Sequence, residues 1–228
     1  MLAPLGLGFV LGIKHATEAD HLAAVSTIVS ERRSLWQSAG VGALWGIGHT
    51  ASLLVAGVFV VGLGVAIPER VANVLELLVA LMIVFLGMRL LRAHIHSHTH
   101  GGKPHMHLHF HDERHAAGTL HTTAHGNLSR WRPVLVGIVH GLAGSAALTL
   151  LVLSTVVRDG SALLGFAYLA AFGAGSIGGM LLMSCLISLP FSLGLRFFQR
   201  TVLPLRLLTG IFSTGFGIWY AWRIVEKL

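Results

Sequence analysis

Residues Gly12 to Leu22 read GIKHATEADHL and place Lys14, His15, Glu18, Asp20 and His21 within eight positions of an otherwise apolar segment. That segment, Leu2–Val29, is long enough to cross a bilayer, for which roughly 20 residues suffice. A lysine or aspartate at the centre of such a helix costs roughly 2.5–3.5 kcal/mol on insertion scales, so groups of this kind face the protein interior and find partners there. Imidazole with carboxylate suits nickel, cobalt, zinc or iron better than magnesium or calcium. At about 100° per residue, His15, Glu18 and His21 share a stripe about 120° wide, whereas Asp20 points about 140° away from His15. One straight helix cannot bring His15, Asp20 and His21 onto one ion. The pattern predicts either a break near Gly12–Glu18 or an Asp20 that orients a histidine from behind. Lys14 is placed to neutralise Glu18 or Asp20. The competing reading of the cluster is a buried charge network that only fixes helix packing.

The surrounding chain sets the class. Of 228 residues 54% are hydrophobic and only 11% charged, too few charges to cover a soluble domain of this size. An all-α integral membrane protein follows, with the lipid bilayer as its solvent. The 28 glycines fit, because glycine lets membrane helices approach closely. Six apolar segments reach spanning length: Leu2–Val29, Leu35–Ile67, Val71–Leu91, Val134–Val157, Ala162–Leu195 and Val202–Val225. Residues 1–11 lack the charged start and cleavage site of a signal peptide, so the first segment is read as mature protein. The lone Cys185 excludes a disulfide framework within one chain.

The net charge of +7 lies mostly between spans, which reads as an orientation signal; no nucleic-acid partner is expected. Eleven basic residues, Arg32, Arg89 and Arg132 among them, fall on the side reached after the first span. Only Arg70, Arg158, Arg223 and Lys227 fall on the other. This bias predicts both termini outside and the mid-chain loop in the cytoplasm, with a bacterial cytoplasmic membrane as the setting.

A weak internal repeat runs through the spans. Gly12-Ile13-Lys14-His15 resembles Gly137-Ile138-Val139-His140, and Trp45-Gly46-Ile47-Gly48-His49 resembles Phe172-Gly173-Ala174-Gly175-Ser176. Gly87 and Gly217 hold matching places, and the offsets drift only from 125 to 130 residues. Three spans per unit requires the second copy to be inverted, an arrangement that puts transporter sites near the midplane. The predicted architecture is therefore a 3+3 inverted repeat in one domain: residues 1–91, a loop over 92–130, and residues 131–228.

Other polar groups extend the candidate site. His49 lies between glycines in an apolar span and is a further metal ligand, against the alternative of a hydrogen-bonding core histidine. His140 is the repeat mate of His15, with ligand and packing readings both open. Glu76 is an ionisable group at some depth in the third span, either a proton carrier, a partner for Lys14, or an interfacial carboxylate. Met180, Met183 and Cys185 are read as core. The loop from His94 to His125 holds eleven of the fifteen histidines, with alternating tracts at His94, His96, His98, His100 and at His105, His107, His109, His111. Such spacing favours multi-site binding of borderline divalent ions over a fixed structural zinc site, in a loop expected to be disordered.

These residues resemble the nickel/cobalt transporter family and its urease-accessory membrane relatives. The family's His-x4-Asp-His helix is matched by His15-x4-Asp20-His21, and its Gly-His-Ser/Thr signature by Gly48-His49-Thr50. A histidine-rich loop at mid-chain is similar to that of the nickel/cobalt efflux branch. The resemblance covers the first two spans closely and the remainder loosely. The family's usual number of spans exceeds the six read here. Its later carboxylate motif has become Gly141-Leu142-Ala143-Gly144-Ser145, and Gly179-Met180 lacks the carboxylate that should follow.

The resemblance implies transport of Ni²⁺ or Co²⁺, held by His15, His21 and His49 with Asp20 or Glu18. The titratable groups would couple it to protons, and no cofactor is expected beyond the transported ion. A cytoplasmic metallochaperone is the expected partner for the loop. A second reading is a non-transporting accessory protein that supplies nickel to urease or hydrogenase maturation. A third, an intramembrane protease using Ser145 with His140, is disfavoured because the two lie five apart on one segment. No His-Glu-x-x-His run is present, so a zinc protease is not indicated, and the chain is expected not to be an enzyme.

Overall fold

Two helices stand where one continuous first span was expected. In the computed structural model α1 (Leu2–His15) and α2 (Ala19–Ser30) flank a turn over residues 16–18. The break falls at the end of the predicted window, and Gly12 stays inside α1. The turn is held locally: Thr17 N–H donates to the Lys14 carbonyl at 2.9 Å, and Glu18 N–H to that of His15 at 3.1 Å. The Thr17 hydroxyl adds a 2.6 Å bond to the Lys14 carbonyl. Non-helical backbone of this kind is tolerated at membrane depth only where protein or a polar cavity surrounds it.

The chain continues through α3 (Leu35–Leu63) and α4 (Glu69–Arg92), then a hairpin of β1 (Ile95–His100) and β2 (Lys103–Leu108). Residues 131–143 form α5, followed by α6 (Ala162–Phe197) and α7 (Gln199–Val225). The structure describes residues 2–32, 34–63, 67–92, 95–100, 103–108, 131–143, 162–197 and 199–228. Among these, four helices are long and apolar enough to cross a membrane: Leu35–Phe59, Glu69–Arg92, Leu163–Leu195 and Thr201–Val225. The molecule is a multi-pass membrane protein. The expected six spans become four long ones here for two reasons. The first is broken into two short helices, and the fourth, Val134–Val157, runs into residues 144–161, outside the described set.

The loop also departs from expectation. Part of it is an antiparallel hairpin rather than disordered chain, with His96 opposite His107 and His98 opposite His105. His94, His109 and His111 lie outside the described residues.

The interior is built around small and aliphatic side chains with one tryptophan, including Ala23, Ala24, Trp45, Ile83 and Met180, while Phe59, Phe85, Phe212 and Trp222 face outward. An outward apolar belt is what lipid solvates. Between helices, polar bonds supplement close packing, because lipid supplies little hydrophobic drive for helix association. The Ser213 hydroxyl donates to the Ala23 carbonyl at 3.0 Å, Thr50 to Gly173 at 3.2 Å, and Arg206 Nε to Ser30 at 2.9 Å.

Close helix contacts recur in matched pairs. Gly12 of α1 lies on α6, where an added Cβ would meet the Phe172 carbonyl oxygen and the Ser176 amide nitrogen, the latter at 2.8 Å. Gly137 of α5 lies on α3, where a Cβ would meet the Trp45 carbonyl oxygen and the His49 amide nitrogen, the latter at 2.9 Å. Displacements of 125 and 127 residues convert one contact into the other. The same displacements relate Gly48 on Val134 to Gly175 on Phe9. A displacement of 130 relates Gly87 on Thr214 and Gly210 to Gly217 on Val84 and Ala80.

Candidate metal centre

The turn between α1 and α2 brings together what a straight helix would keep apart. His15 ends α1, Asp20 and His21 open α2, and α3 delivers His49 from the opposite wall. The ring centroids of His15 and His21 are 4.5 Å apart, those of His15 and His49 5.1 Å, and those of His21 and His49 5.3 Å. One ring nitrogen from each of the three lies within 4.8 Å of the others. His21 and His49 are 1% and 0% exposed, and His15 is mostly buried. Nε2 of His15, Nε2 of His21 and both nitrogens of His49 are buried without a hydrogen-bond partner among the described residues. Leaving a buried polar atom unsatisfied costs about 1–3 kcal/mol. Three such rings converging on one point make a group that could hold a cation.

The remaining ring nitrogens are engaged. His15 Nδ1 lies 3.1 Å from a Glu18 carboxylate oxygen. His21 Nδ1 lies 3.1 Å from Asp20 Oδ1, which also accepts the His21 amide at 2.9 Å. Each carboxylate therefore stands behind a histidine and directs the opposite nitrogen toward the shared point. This arrangement fixes ring tautomer and orientation in metal sites. It uses Asp20 in the orienting role, the second of the two geometries allowed by its angle on the helix.

Asp20 serves a second ring as well. Its Oδ2 lies 2.8 Å from His140 Nε2, and the His21 and His140 rings lie against each other with centroids 3.9 Å apart and planes tilted by 31°. Asp20, His21 and His140 thus form a second group with ligand atoms within 4.8 Å of one another. His140 joins the cluster through Asp20. Its Nε2 is directed at that carboxylate, while Ser145 lies outside the described residues.

The other candidates divide. Lys14 is exposed, and it is the backbone carbonyl that takes part in the turn. Glu76 on α4 lies with Asp20 and Glu18 within electrostatic reach of the Tyr220 hydroxyl on α7. Of the three residues read as core, Met180 is buried in the main core, whereas Met183 and Cys185 are half-buried. Two residues not singled out in the sequence shape the site. Trp45, 1% exposed, stacks on His21 with centroids 5.6 Å apart and also borders His140. Phe172 closes the side of His15 at 5.5 Å. Trp45 precedes His49 by four positions, one helical turn, so helical spacing alone puts both on one face.

An Asp20→Asn substitution keeps size but removes the charge shared by His21 and His140. Loss of such an orienting partner typically lowers metal affinity about 10–100-fold. Calorimetric titration of the purified variant with Ni²⁺ checks this; wild-type affinity would show that Asp20 does not orient the ligands.

Comparison with known proteins agrees with a membrane protein of this build. The urease accessory protein UreH of Bacillus sp. (strain TB-90) is 39% identical over 98% of this chain and 92% of its own length. No solved structure matches the chain. Residues 7–219 match the model of one membrane family, and the chain belongs to it: the cytochrome c biogenesis protein transmembrane region family.

Proposed function

We propose that this protein moves a divalent transition-metal cation, Ni²⁺ or Co²⁺, across the membrane. The ion is held by His15, His21 and His49, with Asp20 and Glu18 behind two of the rings. The observation that carries this reading is the convergence, in an apolar helical bundle, of three imidazoles that each keep a buried ring nitrogen without a partner among the described residues. Nitrogen donors of borderline softness select this part of the metal series. The ion is cargo, and no further cofactor is part of the scheme. The resemblance to nickel/cobalt transporters in His15-x4-Asp20-His21 and Gly48-His49-Thr50 supports the choice of metal.

The matched contacts of Gly12 with Gly137 and of Gly48 with Gly175 support a 3+3 inverted repeat, with units 1–91 and 131–228 joined by a cytoplasmic loop. A break in the first helix at the site fits that architecture, in which discontinuous helices present their ends to the transported ion. The charge bias supports a topology with both termini outside. Metal binding to imidazole displaces any proton the ring carries, so a proton gradient is a natural driving force. The test is uptake of Ni²⁺, Co²⁺, Zn²⁺ and Mn²⁺ into proteoliposomes with and without a pH gradient. Flux of Ni²⁺ or Co²⁺ above protein-free vesicles is expected, and its absence under every gradient would overturn the proposal.

The UreH relative favours a second reading, in which the protein supplies nickel for urease or hydrogenase maturation without transporting it, with a cytoplasmic metallochaperone as partner. Deleting residues 94–125 separates the two. A transporter keeps most of its flux with altered regulation, whereas a delivery protein loses urease activation in cells.

A further inference from the structure

Away from the histidines, a cavity of about 470 Å³ opens between α2, α4 and α5. Its polar end carries Arg32, just beyond α2, Arg89 in the last turn of α4, and Arg132 in the first turn of α5. These three arginines face one lining carboxylate, Glu31, which is already paired with Arg89 at 3.2 Å. Nε of Arg32 is buried and has no hydrogen-bond partner among the described residues. The surplus positive charge rejects a metal cation and calls for an anion.

The rest of the cavity is hydrocarbon. Phe85 lies one turn before Arg89 and Met82 nearly two, while Leu135 and Val136 lie one turn after Arg132. Polarity therefore falls along the cavity from the helix ends toward the bundle centre. Phe85 and Leu135 are 61% and 53% exposed, so the mouth opens sideways onto the apolar belt of the molecule. A free inorganic anion would leave that hydrocarbon wall unused, and a soluble peptide would have to enter through lipid. A basic headgroup pocket between membrane helices above an apolar slot suits one chemistry.

We propose that this cavity binds one anionic glycerophospholipid of the surrounding leaflet, its phosphate on Arg32 and Arg132 and an acyl chain along Phe85, Met82 and Val136. The site is separate from the histidine cluster and does not depend on the metal reading. The bound lipid bridges three helices at their headgroup ends.

Native mass spectrometry of the full-length protein, titrated with phosphatidylglycerol, phosphatidylcholine or inorganic phosphate, tests the proposal. At about 1 kcal/mol per basic residue near the surface, two arginines give a preference for phosphatidylglycerol over phosphatidylcholine of about 10- to 30-fold for the first lipid bound. The Arg32→Gln/Arg132→Gln double variant should bind the two lipids equally. Leu135→Trp, at an exposed position that tolerates bulk, should block the slot and weaken phosphatidylglycerol binding with the arginines intact. Three results would overturn the proposal: no preference in the wild-type protein, a preference that survives in the double variant, or inorganic phosphate binding as tightly as the lipid.

Discussion

Replacing His21 with alanine is expected to lower Ni²⁺ affinity by more than about 100-fold and to reduce flux to background. The orienting carboxylates of metal sites are typically worth 10–100-fold, and the proposed site uses His21 as a ligand. The position is also singular within the cluster. His21 belongs to both candidate ligand groups, stacks on Trp45, and is the ring through which Asp20 touches the three-histidine point. Removing it leaves His15 and His49 as a pair, with His140 farther off at 6.2 Å from His49 between ring centroids. Asp20 keeps its 2.8 Å partner His140, so the carboxylate is not stranded and the bundle should still form. His21→Gln, closer in volume, provides a second variant should the alanine protein not purify. Calorimetry with Ni²⁺ and flux in proteoliposomes read the effect. A folded His21→Ala protein with wild-type affinity would remove the three-histidine site from consideration.

The sequence exposed the cluster because it broke the rule of an apolar span, and charges at that depth stand out against leucine and valine. It could also pose the geometric problem, since the angle between His15 and Asp20 follows from helix pitch alone. Which of the two solutions operates was not legible. The structure combines both: a turn over residues 16–18 repositions α2, and Asp20 stands behind His21 rather than beside it. The reason lies in tertiary contacts, because His140 arrives from 120 residues away to take the second carboxylate oxygen. A repeat-mate argument picked out His140 but could not say which atom it would meet. Trp45 was hidden for the opposite reason. An apolar ring in an apolar helix gives no signal by composition, and only its spacing from His49 points to the site.

Composition alone does not reveal the hairpin. Histidine-rich, low-complexity sequence reads as solvated chain, yet Ile95–His100 and Lys103–Leu108 alternate in a way that suits strand pairing. Long apolar helices were the easiest elements to place. α3, α4, α6 and α7 follow their segments closely, since twenty or more apolar residues leave few alternatives in lipid.

Gly137→Val is expected to be the most damaging substitution outside the histidines. Its first added carbon would collide with the Trp45 carbonyl oxygen, and would lie 2.9 Å from the His49 amide nitrogen and 2.8 Å from Trp45 Cδ1. Two of these three atoms are backbone and cannot swing aside as a flexible side chain would. Overpacking of well-packed interiors costs typically 1–3 kcal/mol and more where backbone must move. Here relief requires α5 to lift from α3, and α5 carries His140 only three residues further on. The 2.8 Å contact of His140 with Asp20 would open, so stability and metal affinity should fall together. Gly178 supplies the control, because no atom of the described residues lies within 4 Å of a Cβ built there. Gly178→Ala should melt at or slightly above the wild-type temperature, given the better helix propensity of alanine. Gly12→Val tests the matching contact on α6, where the Phe172 carbonyl and the Ser176 amide take the places of Trp45 and His49. If the two halves are built on one plan, Gly12→Val and Gly137→Val should lower the melting temperature by similar amounts. A Gly137→Val protein that melts and binds Ni²⁺ like the wild type would show that α5 does not hold His140 against Asp20.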